Sequence, residues 1–311
     1  MLAVAADRTT FRKVTAPVEA LPALPPSSPE ALTPELRTKL DTLLTALRDL
    51  GSVLVAYSGG VDSALLLKAA VLALGDRAVG ALASSPAYDD EETSEALHTA
   101  EAIGARVIRV ETHEVEDERY AANGADRCYF CKQELFDVLQ PVAERLGLAR
   151  VVYGMNADDR GDWRPGQRAA RERGVRAPLD EVGLGKDEIR ALARHLGVPV
   201  WDKPAMACYS SRIPYGTRVT PEALAQIGRA ERALRRLGLQ GVRVRHHDTV
   251  ARIEVSPDDF PRMLDDELRR QVVEAVRAAG YAYVALDLQG YRTGSLNEAL
   301  LRRNRAARTG A

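Results

Sequence analysis

The sequence predicts an α/β fold: a doubly wound parallel sheet followed by a smaller C-terminal α+β domain. Three observations predict it. Short apolar runs alternate with helical patterns up to about residue 200, the rhythm of repeated strand–helix crossovers. The run Leu54-Val55-Ala56-Tyr57 ends in Ser58-Gly59-Gly60 and passes into Val61-Asp62-Ser63-Ala64-Leu65, which reads as buried strand, tight turn and apolar helix start. Beyond residue 220 the strands and helices become short and mixed.

Each element has its own signal. Thr33-Pro34-Glu35 supplies an N-cap, an N1 proline and a first-turn acid for a helix that stops at Gly51. The strand and glycine turn follow, with their helix running to about Leu74, and Ala78 to Ser84 is a second strand. Asp89 to Ile103 is an acidic-started amphipathic helix, Arg106 to Val110 a third strand, and Lys132 to Leu146 a helix. Val151-Val152-Tyr153-Gly154 is a further strand that leads into Met155-Asn156-Ala157-Asp158-Asp159. Pro199 to Val219 breaks the rhythm with prolines, glycines and polar residues, the mark of a long functional loop. Thr220-Pro221-Glu222 caps a helix to about Leu237. Strands near 242–245 and 251–255, a helix through Ala278 and a strand at 281–287 complete the second domain. The expected organisation is a flexible leader (1–32), the sheet domain (33–200), a cysteine loop (201–219), the α+β domain (220–300) and a basic tail (301–311).

Composition narrows the class. The chain has 311 residues, 46% hydrophobic and 28% charged, as in ordinary globular proteins. A formal net charge of -1 gives no global field toward nucleic acid or an anionic membrane, so neither is an expected partner. No apolar run is long enough for a membrane span, and the N-terminus lacks a signal-peptide core, so a cytoplasmic location is expected.

Ligands of doubly wound sheets bind past the carboxyl ends of the strands, so the loops after Tyr57, Ala83 and Tyr153 should share one face. Inward-pointing amides of Ser58 to Asp62, with the partial positive charge of the helix start, make an anion site. Gly59 and Gly60 allow positive φ and close approach of a phosphate. The turn lacks the Gly-Lys-Ser/Thr ending of a Walker A loop and the third glycine of a dinucleotide fingerprint. Without a lysine to reach a γ-phosphate, it suits pyrophosphate.

Three cysteines in 311 residues do not make a disulfide framework. Cys128 and Cys131 form a C-x-x-C just before a predicted helix, which fits a redox pair, half a zinc site or two unrelated thiols. Cys208 sits alone in the long loop, and no histidine stands at zinc-ribbon spacing. Three thiolates suit a [4Fe-4S] cluster with one iron free of protein; three ordinary buried cysteines are the plain alternative.

Ser58-Gly59-Gly60-Val61-Asp62-Ser63 closely resembles the PP-loop of the Rossmann-like ATP pyrophosphatase superfamily. With it stand Arg127-Cys128-Tyr129-Phe130-Cys131-Lys132, the 153–159 stretch, Cys208-Tyr209-Ser210-Ser211-Arg212-Ile213-Pro214-Tyr215-Gly216 and the late motif Asp287 to Ser295. Over roughly residues 33 to 300 the chain resembles the LarE family, sulfur transferases that make the nickel-pincer nucleotide cofactor of lactate racemase. The resemblance implies adenylation by ATP and Mg²⁺ of a carboxylate of pyridinium-3,5-biscarboxylic acid mononucleotide, after which sulfur replaces AMP to leave a thiocarboxylate. Some members sacrifice one cysteine at the position of Cys208, whereas three-cysteine members hold a sulfide-donating [4Fe-4S] cluster. This chain matches the second pattern through Cys128, Cys131 and Cys208.

The resemblance assigns Ser58, Gly59, Gly60, Asp62 and Ser63 to the pyrophosphate and Asp62 to Mg²⁺. Ser84 then faces adenosine or merely caps its strand. Gly154, Asn156 and Asp158 lie on the ligand face or form only an Asx turn. For the substrate phosphate, Arg212 and Arg218 flank the cysteine loop, and Arg243 and Arg245 alternate along one strand face. By analogy Glu231, Arg243 and Arg245 fall in the family's phosphate region. A homo-oligomer, hexameric in the family, is implied too. Competing readings are a PP-loop tRNA thiolase, an amide-forming ATP pyrophosphatase of the NAD or GMP synthetase type, and a nucleotide-binding sensor without turnover. The first wants a basic RNA face, the second leaves the cysteines idle, and the third releases no pyrophosphate.

Overall fold

The computed structural model describes residues 32–161, 165–204 and 207–292. The basic tail, nearly all of the leader, and the end of the Asp287–Ser295 motif lie outside the described residues. In chain order the elements are α1 (Pro34–Asp49), β1 (Val53–Tyr57), α2 (Val61–Leu74), β2 (Ala78–Ser84), α3 (Asp90–Ala102) and β3 (Arg106–Glu111). Then come α4 (Glu118–Ala121), α5 (Arg127–Arg145), β4 (Arg150–Tyr153), α6 (Pro165–Glu172), α7 (Pro178–Glu181) and α8 (Lys186–His195). The last group is α9 (Pro221–Arg236), β5 (Arg243–His247), β6 (Val250–Glu254), α10 (Asp266–Ala278) and β7 (Tyr283–Leu286).

These elements form two compact units. The first comprises the chain up to Ser85 with Asp90–His113 and Cys128–Met206; the second comprises Pro86–Asp89, Glu114–Arg127 and the chain from Ala207.

The first unit is built on a four-stranded parallel sheet of order β3-β2-β1-β4. Alternate residues of β1 serve opposite faces, as the period of two requires. Val53, Val55 and Tyr57 join Leu43 and Leu47 of α1, Leu65 and Leu66 of α2 and Ile189 and Leu192 of α8. Leu54 joins Phe136, Leu139 and Val142 of α5 in a second apolar layer. Helices therefore cover both faces, and the sheet is doubly wound. The chain steps β1-β2-β3 outward in one direction, then returns to the other side of β1 for β4. The carboxyl ends of β1 and β4 thus form the topological switch point, where such sheets bind ligands.

The second unit carries a three-stranded mixed sheet, with β5 and β6 antiparallel and β7 parallel to β6. Leu234 of α9, Val244 of β5, Ile253 of β6 and Val276 of α10 are central to its core. This is the expected α+β arrangement.

One expected boundary moves. The helix placed at Lys132 begins at Arg127, so Cys128 and Cys131 are the second and fifth residues of α5 rather than lying ahead of it. Cysteine and aromatic residues are mediocre helix formers, and the buried Arg127 anchors the turn that starts with them. No helix among the described residues is long and apolar enough to cross a membrane.

Candidate functional site

At the end of β1 the turn is stitched by one hydroxyl. Ser63 Oγ donates to the Gly60 carbonyl at 3.0 Å and accepts from the Ser58 amide at 3.1 Å. Gly59 has φ of 76°, and a Cβ there would stand 2.5 Å from Ala96 Cβ of α3. Gly60 differs from the expectation: with φ −81° and ψ 160° it is an ordinary extended N-cap. It offers no side-chain acceptor to α2, so the first-turn amides keep their anion-binding character.

The loop after β4 closes on this turn. A Cβ on Gly154 would lie 2.9 Å from the Ser63 amide nitrogen and 3.1 Å from the Asp62 carbonyl carbon. Only glycine lets the two backbones approach so closely. Asn156 is buried, its Nδ2 reaching Asp62 Oδ1 at 3.4 Å and its Oδ1 accepting the Asp158 amide at 3.0 Å. Lys186, the first residue of α8, completes the knot. Its Nζ contacts Asp62 Oδ2 at 2.6 Å, and its amide donates to Asp158 Oδ2 at 2.7 Å. The structure therefore brings Ser58, Gly60, Asp62, Ser63, Gly154, Asn156 and Asp158 together at the switch point. Ser84 ends β2, where its carbonyl accepts the Thr112 amide at 3.1 Å. Lys186 is absent from the sequence reading; its only signal is a Gly-Lys-Asp helix start, which resembles any other.

The cysteines divide between the units. Cys128 and Cys131 belong to the first, Cys208 to the second, and all three are thiols. Spacing of three along α5 puts the pair on one helix face, at the end whose partial positive charge favours thiolate. Two soft donors on one turn fit iron–sulfur ligation. Among the described residues no group of three metal-ligating side chains is gathered.

Cys208 is the N-cap of a 3-10 turn, Tyr209–Arg212, and both end residues of that turn are locked. The Tyr209 hydroxyl donates to Asp89 Oδ2 at 2.5 Å, and its amide to the Ala87 carbonyl at 2.9 Å. Burial, reinforced by the Asp89 carboxylate, pushes the Tyr209 phenol well above its ordinary range. Arg235 also pairs with Asp89. Arg212 is 1% exposed and forks onto Glu231 at 2.8 and 2.9 Å, while its Nη1 donates to the Cys208 carbonyl at 3.1 Å. Burial opposes its charge, but Glu231 outweighs that and holds the guanidinium protonated.

The remaining arginines split by environment. Arg245 contacts Glu254 at 2.6 Å and the Ser211 carbonyl at 2.8 Å. Arg218 is exposed and forks onto Glu118. Arg243 is 6% exposed, and among the described residues it forms no ion pair. Its Nη1 donates to the Val242 carbonyl at 3.0 Å, and its guanidinium lies 5.0 Å from the Tyr291 ring centroid. Burial, then the neighbouring Arg212 charge, lower its proton affinity. The Glu231 carboxylate offsets these only in part.

A Ser-Gly-Gly-Val-Asp-Ser turn at the switch point of a parallel sheet, with a cysteine loop in a second unit, defines a Rossmann-like protein of the PP-loop class. No family model matches the chain. Three relatives do. An uncharacterized protein of Synechocystis is 46% identical, covering 85% of this chain and 99% of the relative. The pyridinium-3,5-bisthiocarboxylic acid mononucleotide synthase of Lactiplantibacillus plantarum is 40% identical, covering 85% of this chain and 96% of the relative. An uncharacterized protein of Methanocaldococcus jannaschii is 26% identical, covering 78% and 91%. The chain belongs to the LarE family.

Proposed function

We propose that this chain is an ATP-dependent sulfur transferase that converts carboxylates of pyridinium-3,5-biscarboxylic acid mononucleotide into thiocarboxylates. The observation that carries it is the anion cradle of residues 58–63 at the switch point, beside an Asp62 carboxylate held by Asn156 and Lys186. Among the relatives, the pyridinium-3,5-bisthiocarboxylic acid mononucleotide synthase of Lactiplantibacillus plantarum supports it.

In this reading the substrate carboxylate attacks the α-phosphorus of ATP, and pyrophosphate leaves into the amides of residues 58–63. The Asp62 carboxylate is a hard oxygen donor that would hold Mg²⁺, whose charge would offset that of the leaving group, and Gly154, Asn156 and Asp158 line the nucleotide beside it. Ser84 contacts the adenosine. A sulfur nucleophile then attacks the acyl carbon and AMP departs. Positioning and electrostatics suffice, so no general base is needed. Arg243 recognises the phosphate of the mononucleotide, its burial without an ion pair among the described residues being the most direct support. Glu231 and Arg212 hold the cysteine loop, and Arg245 and Arg218 flank it while paired to Glu254 and Glu118. Cys128, Cys131 and Cys208 are the proposed ligands of a [4Fe-4S] cluster, which when bound supplies sulfide for transfer.

The test separates the two half-reactions. Anaerobically purified protein is given ATP, Mg²⁺ and the biscarboxylate, with pyrophosphate and thiocarboxylate both quantified. Asp62→Asn is expected to lower pyrophosphate release about a hundredfold or more. Cys208→Ala is expected to release pyrophosphate in the first turnover yet form no thiocarboxylate. Pyrophosphate release that depends on ammonia, with amide as product, would overturn the reading.

A further inference from the structure

Around the cysteine loop lies a set of contacts that the chemistry above does not use. Tyr120 to Arg127 and the residues from Cys208 to Val219 fall in the same unit. Arg127, 3% exposed, donates from Nη1 to the Ser210 carbonyl at 2.9 Å and to Asn123 Oδ1. Asn123 is fully buried with φ of 55°, a left-handed conformation that asparagine tolerates better than most residues. Its Nδ2 donates to the carbonyls of Pro214 at 2.9 Å and Thr217 at 2.8 Å, and its own carbonyl accepts the Gly216 amide at 3.1 Å. The Tyr120 hydroxyl meets Ser210 Oγ at 2.6 Å.

Four of these six contacts end on loop backbone. They therefore read the conformation of residues 210–217 rather than their side chains, and Ser210 stands two residues beyond Cys208. Burying a guanidinium and an amide is expensive unless their bonds are made, so the clamp holds only when the loop has this one shape. We propose that Asn123 and Arg127 are positioning residues that fix the direction in which the 208–217 backbone presents the Cys208 thiol. Neither touches reacting atoms in this scheme. The proposal rests on the reading that Cys208 serves the sulfur step.

The test uses the full chain with Arg127→Gln, Arg127→Lys and Asn123→Asp, and Arg119→Gln as a charge-matched control in the same segment. Asn123→Asp keeps the acceptor for Arg127 and a residue tolerant of the backbone angle, but deletes both loop-directed donors. Two readouts are taken: thiocarboxylate formed per pyrophosphate in a single turnover, and the rate at which iodoacetamide alkylates Cys208 in iron-free protein, located by mass spectrometry. For Arg127→Gln and Asn123→Asp the expected ratio falls about ten- to a hundredfold. First-turnover pyrophosphate stays near parent level, and Cys208 alkylation changes severalfold. Arg127→Lys, which keeps charge and one donor, recovers part of both, and the control moves neither.

Parent-like ratio and parent-like alkylation in folded Arg127→Gln and Asn123→Asp would overturn the proposal. If Arg127→Gln does not fold, Asn123→Asp and Arg127→Lys decide. A parent whose thiocarboxylate yield survives Cys208→Ala would instead overturn the functional reading. The alkylation rates would still judge the clamp on their own.

Discussion

At the scale of single residues, Gly154 and Lys186 make opposite cases. A side chain on Gly154 would meet backbone atoms of α2, which cannot swing aside. Gly154→Ala is therefore expected to cost about 1–3 kcal/mol by overpacking and to weaken ATP binding, as read by urea unfolding and calorimetric titration. Lys186 and Asp62 are each about a quarter to a third exposed, at 31% and 24%. Lys186→Met should cost less than about 1 kcal/mol of stability, so a large loss of ATP affinity in that variant would report on the site and not on folding. The sequence makes Gly154 a visible candidate because it follows a strand at the ligand face. Lys186 escapes notice because its partner Asp62 lies 124 positions away and nothing local distinguishes it.

At the scale of elements, the parallel strands and their order of appearance were legible from apolar alternation and from the glycine turn. The helical C-x-x-C was not, since cysteine and aromatic residues give the start of α5 little helical signal, and α4, α6 and α7 are too short to build a periodic signal. The arginines show the same limit. Alternation along β5 predicts a shared face for Arg243 and Arg245, and both are buried. It says nothing of which one meets a carboxylate, because Glu254 comes from β6 and Glu231 from α9. On α9, Glu231→Gln would leave Arg212 buried without its counter-charge. The expected loss is about 3–5 kcal/mol, measured by denaturant unfolding of the full chain. A loss under 1 kcal/mol would mean that the loop relaxes and lets water reach Arg212.

At the scale of the whole molecule, pH enters through the small sheet. His246 is 8% exposed and its Nδ1 meets the Tyr281 hydroxyl at 3.0 Å. Burial holds its proton affinity below the ordinary histidine value. The unfolded chain therefore binds that proton more readily, and stability present above about pH 6.5 is lost as pH falls through the folded value. Thermal unfolding between neutral pH and about pH 5 should show this slope, and His246→Gln should reduce it, leaving the share of His247, whose proton affinity burial also lowers. An unchanged slope would assign the acid sensitivity to other groups.

The clamp on the cysteine loop also bears on how the chain is made. Asn123 leaves the ribosome 94 positions before Thr217, whose carbonyl it binds. At roughly 5–20 residues per second that interval is roughly 5–20 s. For that time a segment destined for full burial has no binding site. The C-x-x-C thiols follow it out at once, while the third cysteine is not yet synthesised. The order of synthesis thus leaves the two C-x-x-C thiols next to an unfilled clamp until residue 217 has emerged.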